Sequence, residues 1–132
     1  MSETLTPEQR REFKQRLEAR RATLLEAVRG ELLQSDDERY LDLAGRVHDV
    51  ADQGTADLLV DLNLASIDQH VEEIRDIEAA LMRISEQSYG ICEDCGDAIP
   101  LQRLNAYPTA RRCVVCQEAY ERTHVQKGQT QI

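Results

Sequence analysis

Four cysteines stand in two pairs towards the C-terminal end of the 132-residue chain, Cys92 with Cys95 and Cys113 with Cys116, and 17 residues separate the pairs. Two residues between ligands let one tight turn aim both sulfurs at a single ion, and two such turns complete a tetrahedron. The chemistry predicted is one structural Zn2+, because four thiolates leave no coordination position open for a substrate. A disulfide framework, an iron site or redox work at one CxxC pair are the competing readings. Neither pair is embedded in a βαβ pattern, which weakens the redox reading. The N-terminus lacks an apolar core of signal-peptide length, and no apolar run approaches a membrane span. A cytoplasmic location is therefore expected, and in a reducing cytosol cysteines more often hold metal than form disulfides.

A second group of chemistry-bearing residues is acidic. Asp42, Asp49, Asp52 and Asp57 cluster in "LDLAGRVHDVADQGTAD", residues 41–57, with Gly45 and Gly54 as breakers. Carboxylates on a slender, extended tip suit hard cations and repel phosphates. Taken alone, such acids are more often solvated surface or helix caps. His48 beside Asp49 could tune the charge of this tip near neutral pH, although an ordinary exposed loop histidine is the simpler reading. His70 is expected to flank a helical seam, and Arg103, Arg111 and Arg112 to balance surface charge. With no placeable nucleophile–base pair and no glycine-rich phosphate loop, the protein is not expected to be an enzyme.

Charge narrows the partners. The formal net charge is −9. Residues 1–33 hold seven basic and six acidic side chains, residues 34–90 four and 14, and residues 91–132 five of each. Four thiolates on one divalent cation would add to the negative total. DNA affinity rests largely on neutralising phosphates, so sequence-specific DNA binding is disfavoured despite the finger-like motif.

The elements that must position these groups are helical. "TPEQ" carries the marks of a helix start: Thr6 as cap, Pro7 at the first position and Gln9 where a capping box needs it. Phe13, Leu17, Leu24, Val28 and Leu32 follow at helical spacing. This helix either stops near Gln34, after the weakening "QSDDE", or runs on through Tyr40 and Leu41. A second helix is expected from about Thr55 to Ser88, where Val60, Leu64, Ile67, Val71, Ile74, Ile77, Leu81 and Ile84 form a near-heptad seam. So narrow a stripe needs a partner helix, and the simplest is the first one, folded back antiparallel. Matched arms favour the longer reading of helix one. A self-covering hairpin also favours a monomer over pairing with a second copy. Gly90 is expected to cap the second helix. A small loop or hairpin is expected between the cysteine pairs, with Pro100 and Pro108 limiting any sheet, and a short helix after Cys116. The fold class is thus mainly α: a long antiparallel helical hairpin, or coiled coil, with a small four-cysteine zinc finger and a short C-terminal helix. Residues 1–90 form the hairpin with its acidic tip around 41–57, residues 91–125 the zinc-finger domain with its helix, and residues 126–132 a flexible tail.

"YGICEDCGDAIPLQRLNAYPTARRCVVC" resembles the zinc-finger signature of the DksA/TraR family of bacterial transcription regulators. The likeness lies in the cysteine spacing, the preceding Tyr-Gly, and the "RL" and "PTA" before the third cysteine; the long hairpin ahead of the finger also matches. The resemblance implies a regulator that binds RNA polymerase, core or holoenzyme, through its secondary channel and brings acidic tip residues near the active site without specific DNA contacts. The family's tip motif, Asp-x-x-Asp-x-Ala, falls on "DVADQG": Asp49 and Asp52 match, and Gly54 replaces the alanine, which implies weakened or altered activity. Some family members act together with the nucleotide ppGpp through basic residues at the base of the coiled coil. Asp76, Tyr107 and Gln117 occupy those places here, so ppGpp synergy is expected to be weak or absent. A zinc-stabilised coiled-coil adaptor that keeps the fold without regulating polymerase is the alternative.

Overall fold

The computed structural model describes residues 5–34, 36–46 and 65–123. Helix α1 (Pro7–Leu33) opens on the expected capping box. The Thr6 hydroxyl accepts from the Gln9 backbone N–H at 3.0 Å, and the Gln9 side chain accepts from the Thr6 N–H at 2.9 Å. Two of the donors that every helix start leaves orphaned are thereby satisfied. Phe13, Leu17, Leu24, Val28 and Leu32 are all buried, and so is Leu25, which widens the stripe beyond a bare seam.

The longer reading of helix one is not what the chain does. Helix α1 ends at Leu33, with the Gln34 N–H donating to the Glu31 carbonyl at 3.2 Å. Asp37 then starts a separate helix, α2 (Glu38–Arg46), by accepting the Arg39 N–H on Oδ1 at 2.9 Å. In "QSDDE" the short polar side chains compete for nearby backbone donors, and a carboxylate at an N-cap satisfies what a continuous helix would leave it no use for. Helix α2 packs on α1 through Leu43 and Ala44, both part of the buried core.

Helix α3 (Ala65–Ser85) supplies the opposite wall. Ile67, Val71, Ile74, Ile77 and Ala80 are buried, with Leu81 and Ile84 partly so. Helix α3 runs antiparallel to α1: Phe13, near the start of α1, meets Tyr89 beyond the end of α3, while Arg21 meets Glu78 and Arg20 meets Glu73. The expected beginning of this helix near Thr55, with Val60 and Leu64, lies outside the described residues.

Gly90 does not cap α3. The helix finishes on Gln87, at φ +65°, with the Gln87 N–H donating to the Ile84 carbonyl at 3.1 Å and the Ser88 N–H to the Arg83 carbonyl at 2.9 Å. That pair of bonds is a Schellman motif, which satisfies carbonyls the helix end would otherwise orphan. Gly90, at φ +85°, turns the chain into the finger instead. Two short helices follow, α4 (Leu101–Ala106) and α5 (Val114–Thr123), and an isolated antiparallel bridge joins Ile91 to Ala98. Among the described residues no helix is long and apolar enough to cross a membrane.

Candidate functional site

The first cysteine pair sits on a turn fixed by backbone bonds. The Cys92 N–H donates to the Asp97 carbonyl at 2.8 Å, and the Cys92 carbonyl accepts from the Gly96 N–H at 3.0 Å. Gly96 takes φ +81°, a left-handed conformation that favours glycine. This turn leaves the Cys95 N–H 3.4 Å from the Cys92 sulfur, as a donor to it. The second pair is set by α5: the Cys113 carbonyl accepts from the Gln117 N–H at 2.8 Å, and Cys116 lies in the first helical turn. The Glu93 N–H, donating to the Arg111 carbonyl at 2.9 Å, ties one turn to the other.

These turns bring all four sulfurs within 4.8 Å of one another. The Cys95 and Cys113 sulfurs are 3.9 Å apart. A tetrahedral ion with bonds of about 2.3 Å to sulfur needs edges of about 3.8 Å, so the donor set fits Zn2+ in size and chemistry. The thiols also differ in acidity. Burial pushes the Cys92 thiol up, but backbone donors from Cys95, Cys113 and Asp94 outweigh it and bring it down to about 6. Cys113 and Cys92 beside it drive the Cys116 thiol well above its ordinary value. Four sulfurs this close resist holding four negative charges, and a divalent cation removes that resistance.

The segment between the pairs is helical where a loop or hairpin was expected. Pro100 stands at the N-cap of α4, with φ −56°, and its carbonyl accepts from Leu104 N–H at 3.1 Å. Proline's fixed φ, read in the sequence as a limit on sheet, here sets up a helix start. Leu104 is then fully buried against the hairpin core. The finger is bonded to the hairpin at several points. The Tyr89 hydroxyl donates to the Pro108 carbonyl at 2.7 Å, and Arg16 donates to the Asn105 side chain and carbonyl at 3.0 and 2.9 Å.

Asp49, Asp52, Gly54 and the neighbouring His48 lie outside the described residues. Asp76, Tyr107 and Gln117 do come together: all three line one cavity of about 430 Å3 beside the finger, with Arg103, Arg111 and Arg112. Burial pushes the Asp76 carboxyl up, against the pull of Arg111. His70 flanks the seam as expected, with its Nδ1 buried and lacking a partner among the described residues. Arg112 departs most from its expected role of charge balance. Its side chain is 12% exposed and makes ion pairs with Glu93 and Asp94, each at 2.8 Å. Sequence reasoning missed it because two adjacent arginines, Arg111 and Arg112, do not reveal in the sequence which carboxylates each long side chain reaches.

Comparison with known proteins bears on both parts of the molecule. Residues 87–122 match the model of the prokaryotic dksA/traR C4-type zinc finger. A protein from Caulobacter vibrioides named RNA polymerase-binding transcription factor DksA is 38% identical over 112 residues, covering 83% of this chain and 74% of that one. The Escherichia coli protein of the same name is 32% identical over 101 residues, 74% of this chain and 67% of its own. Among solved structures, transcription factor DksA2 from Pseudomonas aeruginosa superposes with a TM-score of 0.60 at 25% identity, covering 92% of this chain and 90% of that one. The RNA polymerase binding protein and transcriptional regulator Dks from Chlamydia trachomatis superposes with a TM-score of 0.55 at 28% identity, over 93% and 99%.

Proposed function

This chain belongs to the DksA/TraR zinc-finger family, and from that premise we propose that it is a bacterial transcription regulator that binds RNA polymerase. The observation that carries the reading is similarity running through hairpin and finger together, 38% over 83% of the chain, to a protein named for binding that enzyme. The finer mechanism we infer is entry through the secondary channel. The hairpin is a slim lever, and the part of the expected tip that follows α2 presents Asp49 and Asp52 near the polymerase active site, since residues 41–46, with the expected breaker Gly45, belong to α2. There, like-charge repulsion and attraction for hard cations would redirect mobile elements or metal during initiation. Gly54, with no methyl group and a looser backbone than the family's alanine, weakens or alters that action.

In this reading Cys92, Cys95, Cys113 and Cys116 hold one Zn2+ that is structural: it supplies folding energy to a segment too small to fold alone. Residues 1–90 act as the lever, residues 91–125 as its base, and residues 126–132 as a tail. The protein works as a monomer in the cytoplasm. Its net charge of −9 favours a polymerase-bound regulator over a sequence-specific DNA reader. Synergy with ppGpp is weak or absent, since Asp76 places a carboxylate in the cavity and Glu93 and Asp94 already engage Arg112.

Competition for core RNA polymerase between the zinc-loaded protein and a known secondary-channel factor tests this. Competitive binding is expected, and the double variant Asp49→Asn with Asp52→Asn should still bind while losing its effect on initiation. No binding at micromolar concentrations overturns the reading and leaves an adaptor that keeps the fold for another partner.

A further inference from the structure

We propose that Arg112 is a positioning residue of the metal centre, a guanidinium brace that holds the two cysteine turns at ligand distance and slows loss of the ion. This rests on the zinc reading above and concerns a side chain that contributes no ligand atom.

Arg112 directly precedes Cys113, yet its side chain reaches back to the other turn. Nη2 lies 2.8 Å from a Glu93 carboxylate oxygen, and Nε lies 2.8 Å from Asp94 Oδ2. Glu93 and Asp94 are the two residues between Cys92 and Cys95, so one planar group grips the whole first turn from the threshold of the second. On its other side the guanidinium carbon stands 3.8 Å from the Tyr120 ring centroid, on α5, the helix that carries Cys116. The Arg112 carbonyl accepts from Arg103 Nε at 2.9 Å, which adds α4 to the assembly. One residue thus ties together every element that carries or spaces a ligand. The guanidinium itself is 12% exposed, while the Glu93 and Asp94 side chains are 37% and 43% exposed, so the arginine is the buried partner of both ion pairs.

The charge balance points the same way. Four thiolates on a divalent cation leave about −2. Glu93 and Asp94 each add one negative charge within the same turn. Without a cation on them, those carboxylates repel each other and the negative sulfur cluster, and the turn that carries Cys92 and Cys95 is pushed away from the second pair. A fork with several fixed donors can satisfy two carboxylates at once, whereas an ammonium supplies a point charge. The neighbouring Arg111 is a built-in control. It carries the same charge one residue earlier but lies 3.9 Å from Asp76 on the hairpin instead.

The experiment uses the full chain loaded with zinc, and follows metal release to an excess of a chromophoric chelator. Far-UV circular dichroism reports folding, and the visible bands of the Co2+-substituted protein report ligand geometry. Outer-shell partners of metal ligands typically alter metal affinity by about 10–100-fold. Arg112→Gln is accordingly expected to speed release by about 10-fold or more and to shift the Co2+ bands, with Arg112→Lys intermediate and Arg111→Gln like the parent. Adding Asp94→Asn to Arg112→Gln should recover part of the loss, which a merely volume-filling role for Arg112 does not predict. Should Arg112→Gln fail to fold, the Lys variant against Arg111→Gln decides the matter. Release from both Arg112 variants at the parental rate overturns the proposal, as does equal acceleration by Arg111→Gln. Failure of the parent chain itself to take up Zn2+ or Co2+ sinks the zinc reading instead, and is seen before any variant is made.

Discussion

Tyr89 joins the two parts of the molecule through a single side chain. Its ring packs against Phe13 with centroids 5.6 Å apart, and its hydroxyl donates to the Pro108 carbonyl at 2.7 Å. Burial pushes the phenol up to about 12, with Arg83 and Arg16 pulling weakly the other way. The consequence for stability has a definite sign. A folded-state value above the unfolded one means that the unfolded chain ionises first as pH rises. The contribution is therefore fully present below about pH 10 and is lost progressively up to about pH 12, a span worth about 2–3 kcal/mol at most. The zinc-loaded protein is expected to lose thermal stability over that window. Tyr89→Phe should be about 1 kcal/mol less stable at pH 8, from the lost hydrogen bond, yet decline less between pH 10 and 12. Thermal melts of the two proteins across the pH series measure this, and parallel curves count against it.

Among the helices, the ends distinguish what can be read from composition and what cannot. The start of α1 was legible because all the parts of a capping box lie within four consecutive residues and act locally. Phe13, Leu17, Leu24, Val28 and Leu32 of the first arm and Ile67, Val71, Ile74 and Ile77 of the second were legible because burial follows helical periodicity, and the cysteines because ligand spacing states its own chemistry. The end of α1 was not, since "QSDDE" offers two near-equal outcomes and packing of α2 on α1 selects one of them. Nor was the end of α3. Glycine is the residue expected in a left-handed cap, and Gly90 was the available candidate, but its positive φ is used to enter the finger, where a Cβ would meet Leu5 at 3.3 Å. The cap falls to Gln87, an exposed residue held at φ +65°. A non-glycine residue in that conformation costs about 1–2 kcal/mol, part of which glycine returns through its greater freedom when unfolded. Gln87→Gly is thus expected to stabilise the chain by about 0.5–1 kcal/mol, and Gly90→Ala to destabilise it by about 1–2 kcal/mol. Chemical denaturation gives both numbers. A destabilised Gln87→Gly variant would show that the cap is not limiting.

For the whole molecule, the question is whether the finger is an appendage or the foundation of the hairpin. Its Cys92, Ile99 and Leu104 belong to the same buried cluster as Phe13, Leu17, Leu24 and Ile77. Polar bonds reinforce the junction: Arg16 to Asn105, Tyr89 to Pro108, and Arg83 to the Thr109 carbonyl at 3.4 Å. Farther along, the hairpin is held by its own contacts, with Leu24, Leu25, Val28 and Leu32 of α1 buried in the same core as Ile67, Val71 and Ile74 of α3, and Arg20 bridging to Glu73 at 2.7 Å. Loss of the metal should therefore not spread evenly. Without the ion the finger cannot keep its turns, since a segment of this size has too little core of its own. Phe13 and Leu17 then lose the surface that covers them, and the first turns of α1 fray. The middle of the hairpin keeps its apolar contacts and remains paired, at lower overall stability. Amide hydrogen exchange with and without excess chelator measures this residue by residue. Protection in Glu8–Leu17 and throughout the finger should collapse on chelation, while that around Leu24–Val28 and Val71–Ile77 falls less. Unchanged protection in Glu8–Leu17 would make the finger an independent appendage. Uniform loss across both arms would mean that the metal holds the entire lever as one cooperative unit.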